Sequence, residues 1–142
     1  MSGMLGSALE TLAQAGIERE SVLVVSAPGA FELPIVARRL AARKDVAAVL
    51  CFGLVLKGET EHDRHIASAC AHGLMRAALE TDTPILFGVL TCATLQQARE
   101  RAQREAEGGL DKGREVALAA LEVLAALDAA GEGARPRRAR RS

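Results

Sequence analysis

Apolar positions along the chain switch between the spacing of helices and the continuous runs of buried strands. Over residues 4–15, Leu5, Ala8, Leu9 and Leu12 fall on one helical stripe, and Gly16 follows as a C-terminal stop. Ser21–Val25 carries V-L-V-V, mostly β-branched, which predicts a short strand buried on both faces. Ala27-Pro28-Gly29 ends it. A helix is then predicted from about Phe31 or Glu32 to Arg43, with Pro34 in its first turn, where a missing N–H costs little. Asp45–Gly53 (D-V-A-A-V-L-C-F-G) reads as a second buried strand. The loop Lys57–Glu61 leads into a helix from about His62 to Glu80. Thr83-Pro84 opens a third strand, Ile85–Thr91. Helices follow at about 94–106 and 111–129, separated by Gly108-Gly109. From Gly131 the apolar content falls, predicting one domain over residues 1–130 and an unstructured tail over 131–142.

Strands alternating with helices imply a parallel sheet with right-handed crossovers, hence an α/β fold. Three strands are few for a sheet covered on both faces, so the pattern looks short of a strand or dependent on a partner chain.

Composition narrows the function classes. The 142 residues include 28 Ala and three Phe but no Trp or Tyr, so the core is aliphatic. Three rings do not make a stacking platform for single-stranded nucleic acid. Formal net charge is zero, but residues 131–142 carry five Arg against one Glu, leaving the body at −4. That tail reads as a solvated terminus, and the acidic body offers no basic face, so no nucleic-acid partner is expected. Cys51, Cys70 and Cys92 are odd in number, lack C-x-x-C spacing and lie in apolar runs. They read as small core residues in a reducing, cytoplasmic setting. No apolar stretch approaches the roughly 20 residues of a membrane span, and no secretory leader is expected.

Ligands of open α/β sheets bind beyond the carboxyl ends of the strands. Those positions hold Ala27-Pro28-Gly29-Ala30-Phe31-Glu32, then Gly53–His62 (G-L-V-L-K-G-E-T-E-H), then Thr91-Cys92-Ala93-Thr94. In the second, Gly58 permits close backbone approach, and Thr60 with Asp63 has capping-box spacing. Free N–H groups at that helix start would suit phosphate; a plain capped helix fits the same residues. His62 is of the type that moves protons near neutral pH. His65 shares its helix face, but His72 lies nearly three turns from His62, too far for one metal ion. Arg99, Arg101 and Arg104 offer either an anion clamp or a solvated face pairing with Glu100 and Glu105.

Four segments at these loops resemble the lumazine synthase family: P-G-A-F-E-L-P (28–34), K-G-E-T-E-H (57–62), F-G-V-L-T-C-A-T-L-Q-Q-A-R-E-R-A (87–102) and D-K-G-R-E-V-A-L-A-A-L-E (111–122). Their order and spacing make the match specific over most of residues 5–127. The resemblance implies a flavodoxin-like three-layer α/β/α sandwich with a short parallel sheet. It implies condensation of 5-amino-6-(D-ribitylamino)uracil with 3,4-dihydroxy-2-butanone 4-phosphate to 6,7-dimethyl-8-ribityllumazine, phosphate and water, in riboflavin biosynthesis. No metal and no redox cofactor are implied. By motif, His62 corresponds to the proton-transfer residue, and Glu59 and Thr60 to the holders of the butanone phosphate. Arg101 corresponds to a clamp on that phosphate from a neighbouring subunit. Ala30, Phe31 and Glu32 would line the ribitylaminouracil pocket, Leu54, Val55 and Leu56 would offer backbone contacts to its ring, and Phe87 would close it across the interface. Lys112 and Glu115 match the family's N-K-G-x-E motif, with Asp111 in place of Asn.

The family's first strand, ending in Phe-Asn, has no match, so the chain reads as N-terminally truncated relative to the family. Between Arg101 and Lys112 stand three more residues than in capsid-forming members. That implies a homopentamer, with a 60-chain shell as the other assembly and riboflavin synthase as a further partner. The non-enzymatic alternative is a truncated paralogue that keeps the assembly surface without turnover.

Overall fold

A computed structural model of the chain describes residues 2–58 and 61–134. Two parallel strands form its centre, β1 (Val49–Leu56) and β2 (Ile85–Cys92), in register from Val49 opposite Ile85 to Leu56 opposite Cys92. The crossover between them contains α3 (His62–Thr81). The other helices are α1 (Ser2–Gln14), α2 (Leu33–Ala41), α4 (Leu95–Ala102) and α5 (Lys112–Ala134).

Side chains alternate along β1, and each set buries against a different layer. Val49, Cys51 and Val55 face α2 and α3 in a core with Ala37, Ala41, Cys70, Leu74 and Val89. Leu50, Phe52 and Leu54 reach the opposite layer, where Met4, Ala8 and Leu12 of α1 meet Leu90, Cys92, Ala98 and Ala117. The result is a three-layer α/β/α sandwich of the flavodoxin type with a short parallel sheet.

Two close approaches account for glycines in the motifs. Gly88 lies opposite Phe52, and a Cβ there would come within 2.7 Å of the Phe52 ring. Phe52 is thus a packing residue of the sheet. At Gly113 an added Cβ would collide with the Met4 carbonyl, so α1 and the start of α5 touch backbone to backbone.

The V-L-V-V run departs from expectation. Residues 22–27 form no regular element and pair with no strand among the described residues, and Leu23, Val24 and Val25 are 56%, 40% and 48% exposed. Only Val22 tucks against the α1 layer, beside Ile17 and Leu50. The physical reason is the want of a ladder partner. Val49 N–H donates to Pro84 O (3.0 Å) and Lys57 N–H to Cys92 O (2.8 Å). Alternation then turns the amides of Leu50, Phe52, Leu54 and Leu56 to the other edge of β1, which no strand among the described residues pairs. The sheet therefore has two strands where three are expected.

Other boundaries shift for local reasons. β1 begins at Val49, where the ladder with β2 starts, after a turn in which Arg43 pairs bidentately with Asp45 (2.9 and 2.7 Å). It runs on to Leu56 because its partner continues through Cys92. Ala30–Glu32 forms a 3-10 turn, so α2 starts at Leu33. α4 stops at Ala102, and the chain makes another 3-10 turn at Glu105–Glu107, while Asp111 N–H donates to Gln103 O (2.7 Å). α5 continues through Ala134, into the stretch expected to be tail; the five Arg lie outside the described residues.

All three cysteines are free and buried. Burial pushes the Cys51 thiol up to about 12, with the nearby Cys70 adding to the shift, and burial raises the Cys70 thiol as well.

Candidate functional site

The first group of site residues gathers at the carboxyl end of β1. The 3-10 turn Ala30–Glu32 packs against β1 and α3. Ala30 covers the core formed by Val55 and its neighbours, while the Phe31 ring is 63% exposed. Val55 is a core side chain, so only its backbone is available to a ligand; Leu56 turns outward. Lys57 N–H is fixed by Cys92 O, which ties this loop to the end of β2. His62 is the first residue of α3 and is exposed. The N-cap position is Glu61, whose carbonyl accepts from Arg64 N–H (3.1 Å) and His65 N–H (3.2 Å), without a side-chain cap. That corrects the expected cap at Thr60; Glu59 and Thr60 themselves lie outside the described residues.

A second group gathers beside β2. Phe87, Val89, Leu90, Thr91, Arg101, Leu110, Lys112 and Glu115 line a concavity of about 280 Å³. Local chemistry fixes each support. Thr94 caps α4 by accepting Gln97 N–H (3.2 Å), and the Gln97 side chain accepts Ala93 N–H (2.9 Å). Asp111 stands at φ +49°, a left-handed position that Asp and Asn tolerate better than most residues. Its Oδ1 accepts Arg114 N–H (3.2 Å) and Ser7 Oγ–H (2.5 Å), anchoring the start of α5 to α1.

The cations of this concavity differ in their partners. Lys112 Nζ pairs with Glu115 Oε1 at 3.1 Å. Arg101, half-buried, donates through Nη1 to Cys92 Sγ at 2.8 Å and pairs with no carboxylate among the described residues. The alternative of a solvated face does not hold for it. Glu100 instead accepts from Gln96 (3.3 Å), Glu105 pairs with Arg114 (3.6 Å), and Arg104 reaches Glu10 on α1 (2.6 Å). A half-buried guanidinium without a counter-ion beside a concavity is an anion-ready group.

The expected residues thus fall into two sets. Ala30, Phe31, Glu32, Leu54, Val55, Leu56 and His62 belong to the β1 end; Phe87, Arg101 and Lys112 line the β2 concavity, which none of the first set lines. Thr91 also lines it and Cys92 holds its arginine, both from the stretch beyond the third strand where a ligand was expected, though neither was named as a site residue; Leu110, which also lines it, did not stand out in the sequence. The signal for Cys92 was its spacing of nine residues from Arg101 across a capped turn.

Fold and site define a flavodoxin-type α/β/α domain with polar groups at the strand ends and a cationic concavity beside the sheet. A sequence profile of 6,7-dimethyl-8-ribityllumazine synthase matches residues 1–128, and the chain belongs to that family. It is 47% identical over 126 residues to the 6,7-dimethyl-8-ribityllumazine synthase of Thermus thermophilus, covering 89% of this chain and 78% of that one. Over 127 residues it is 44% identical to the Stenotrophomonas maltophilia protein of that name (88% and 79% covered). Against the Salinibacter ruber protein of that name, identity is 42% over 120 residues (84% and 75% covered).

Proposed function

We propose that the chain is a transferase that condenses 5-amino-6-(D-ribitylamino)uracil with 3,4-dihydroxy-2-butanone 4-phosphate to 6,7-dimethyl-8-ribityllumazine. The observation that carries the reading is Arg101: a half-buried guanidinium with no carboxylate partner among the described residues, beside Lys112 in a concavity of small-molecule size. The amine of the uracil forms an imine with the ketone, releasing water. Elimination expels phosphate, and ring closure releases a second water. Each step moves a proton, which is the role of His62. Arg101 and Lys112 hold the phosphate together with Glu59 and Thr60. Ala30, Phe31, Glu32 and the backbone of Leu54–Leu56 hold the uracil, and Phe87 covers it.

The division of these residues into two sets supports a site assembled from two copies, His62 from one and Arg101 from its neighbour. A head-to-tail contact of this kind closes into a ring, and a pentamer is the assembly proposed. The setting is the cytoplasm, in keeping with three free thiols, and riboflavin synthase is the partner that takes the product.

The test is a lumazine fluorescence assay on the 142-residue chain, with light scattering on the same sample. Turnover and a mass near five times 14.9 kDa are expected. A mass near sixty chains refutes the pentamer. An assembled but inactive protein favours the second reading, an assembly-only paralogue, which the unpaired run at residues 22–25 and the open edge of β1 support.

A further inference from the structure

The Arg101 guanidinium must be held in place without a carboxylate, since a carboxylate would compete with a bound phosphate. Among the described residues its side-chain partner is a thiol: Nη1 lies 2.8 Å from Cys92 Sγ. Cys92 is the last residue of β2 and 1% exposed, packed with Met4, Leu90 and Ala98. Its position is fixed on both sides. Cys92 O accepts Lys57 N–H (2.8 Å), and the next residue's N–H is taken by Gln97. Arg101 sits in the last turn of α4, whose start is capped by Thr94. Strand end and helix end are thus two rigid supports, and the thiol joins them through the arginine side chain.

We infer that Cys92 is a positioning residue for the phosphate-bearing substrate: its sulfur accepts one Arg101 N–H and leaves the rest of the guanidinium fork to the ligand. A neutral, weak acceptor suits this task. It orients the side chain without cancelling its charge, whereas Asp or Glu there would neutralise it. The inference rests on the proposed phosphate role of Arg101.

The test compares Cys92→Ala, Cys92→Val, Cys92→Ser and Arg101→Ala in the assembled protein, varying each substrate in turn. Inorganic phosphate serves as a competing probe. Cys92→Ala is expected to raise KM for the butanone phosphate about fivefold, with kcat and KM for the uracil within about twofold. Inhibition by inorganic phosphate weakens in step. Cys92→Val, which fills the space without an acceptor, gives the same rise and serves where the alanine variant folds poorly. Cys92→Ser, whose hydroxyl accepts the same N–H, brings KM back toward the parent value. In an Arg101→Ala background, removing the thiol adds nothing further. An unchanged KM in both Cys92→Ala and Cys92→Val, with a raised KM in Arg101→Ala, overturns the positioning role and leaves the proposed function standing. An equal loss for both substrates that serine fails to rescue reduces Cys92 to packing and also overturns it. An unchanged KM in Arg101→Ala overturns the phosphate role itself.

Discussion

Beside β2, every element that carries a site residue is tied to another. Thr94 and Gln97 fix the entry to α4, Cys92 holds Arg101, and Asp111 joins the start of α5 to Ser7 of α1. At the carboxyl end of β1 the supports are thinner. The segment leading to Phe31 forms no regular element, its apolar side chains Leu23, Val24 and Val25 are exposed, and the edge of β1 beyond Leu54 and Leu56 has no strand on it among the described residues. The comparison separates two ways of building a site. One set of groups is preorganised by its own fold, which suits a clamp. The other takes its cover from whatever packs against it, which suits a site completed by assembly.

The largest effects are expected where the two surfaces must cooperate. His62→Ala should lower kcat about 100-fold or more, the usual worth of a general acid–base group. Arg101→Ala should raise KM for the phosphate substrate about tenfold or more, the range of a charge-assisted hydrogen bond. Co-expression of the two variants in one assembly then gives the decisive measurement. Where His62 and Arg101 meet across a head-to-tail interface, about a quarter of the sites in a random mixture regain both groups. Mixed assemblies should therefore recover activity well above either variant alone. Recovery no greater than the average of the two would place both residues in one chain's site and dissolve the division between the surfaces.

A smaller effect tests how firmly the β2 side is pinned. Asp111→Ala removes the cap on α5, leaves the buried Ser7 hydroxyl without its acceptor, and puts alanine at a left-handed backbone position. Together these cost about 3 kcal/mol. Asp111→Asn keeps the cap and the conformational tolerance and should lose less than half of that. Chemical denaturation checks both. If alanine costs under about 1 kcal/mol, the anchoring of α5 to α1 is not what holds the concavity in shape.

What was legible in the sequence follows the same division. All five helices were readable, because stripes such as Ala8–Leu12 and breakers such as Pro34 and Gly108 act within a few residues of themselves. The second and third strands were readable as buried runs: the second with ends displaced by four and three residues, the third to within one. Those ends depend on pairing: Leu56 is a strand residue only because Cys92 lies opposite it. The V-L-V-V run shows the limit most clearly. Its composition favours a strand, but a strand needs a partner, and partners are tertiary. The packing of Phe52 over Gly88 is a second instance, since it depends on the register that sets the two residues opposite each other. His62, Arg101 and Lys112 were legible through motif, whereas the link from Arg101 to Cys92 required the turn between them to be closed.

The smallest expected effect asks whether the open edge of β1 lets water into the core behind it. Cys51 projects from β1 toward α2 and α3, and burial pushes its thiol from an ordinary 9.0 up to about 12. The folded state therefore resists forming a thiolate that the unfolded chain forms freely above pH 9. For a group raised on folding, the stabilising contribution is complete below the unfolded value and is lost as pH climbs toward the folded one. Stability should accordingly fall by about 1 kcal/mol from this group between pH 9 and pH 10. Cys51→Ala isolates the contribution. It begins less stable because of the cavity it leaves, but it should lose less than the parent over that interval, narrowing the gap between them. Parallel pH profiles for the two proteins would mean that the Cys51 thiol titrates as it does in water. The β1 half would then be wet through its open edge, and the contrast between the two regions would extend from the surface into the core.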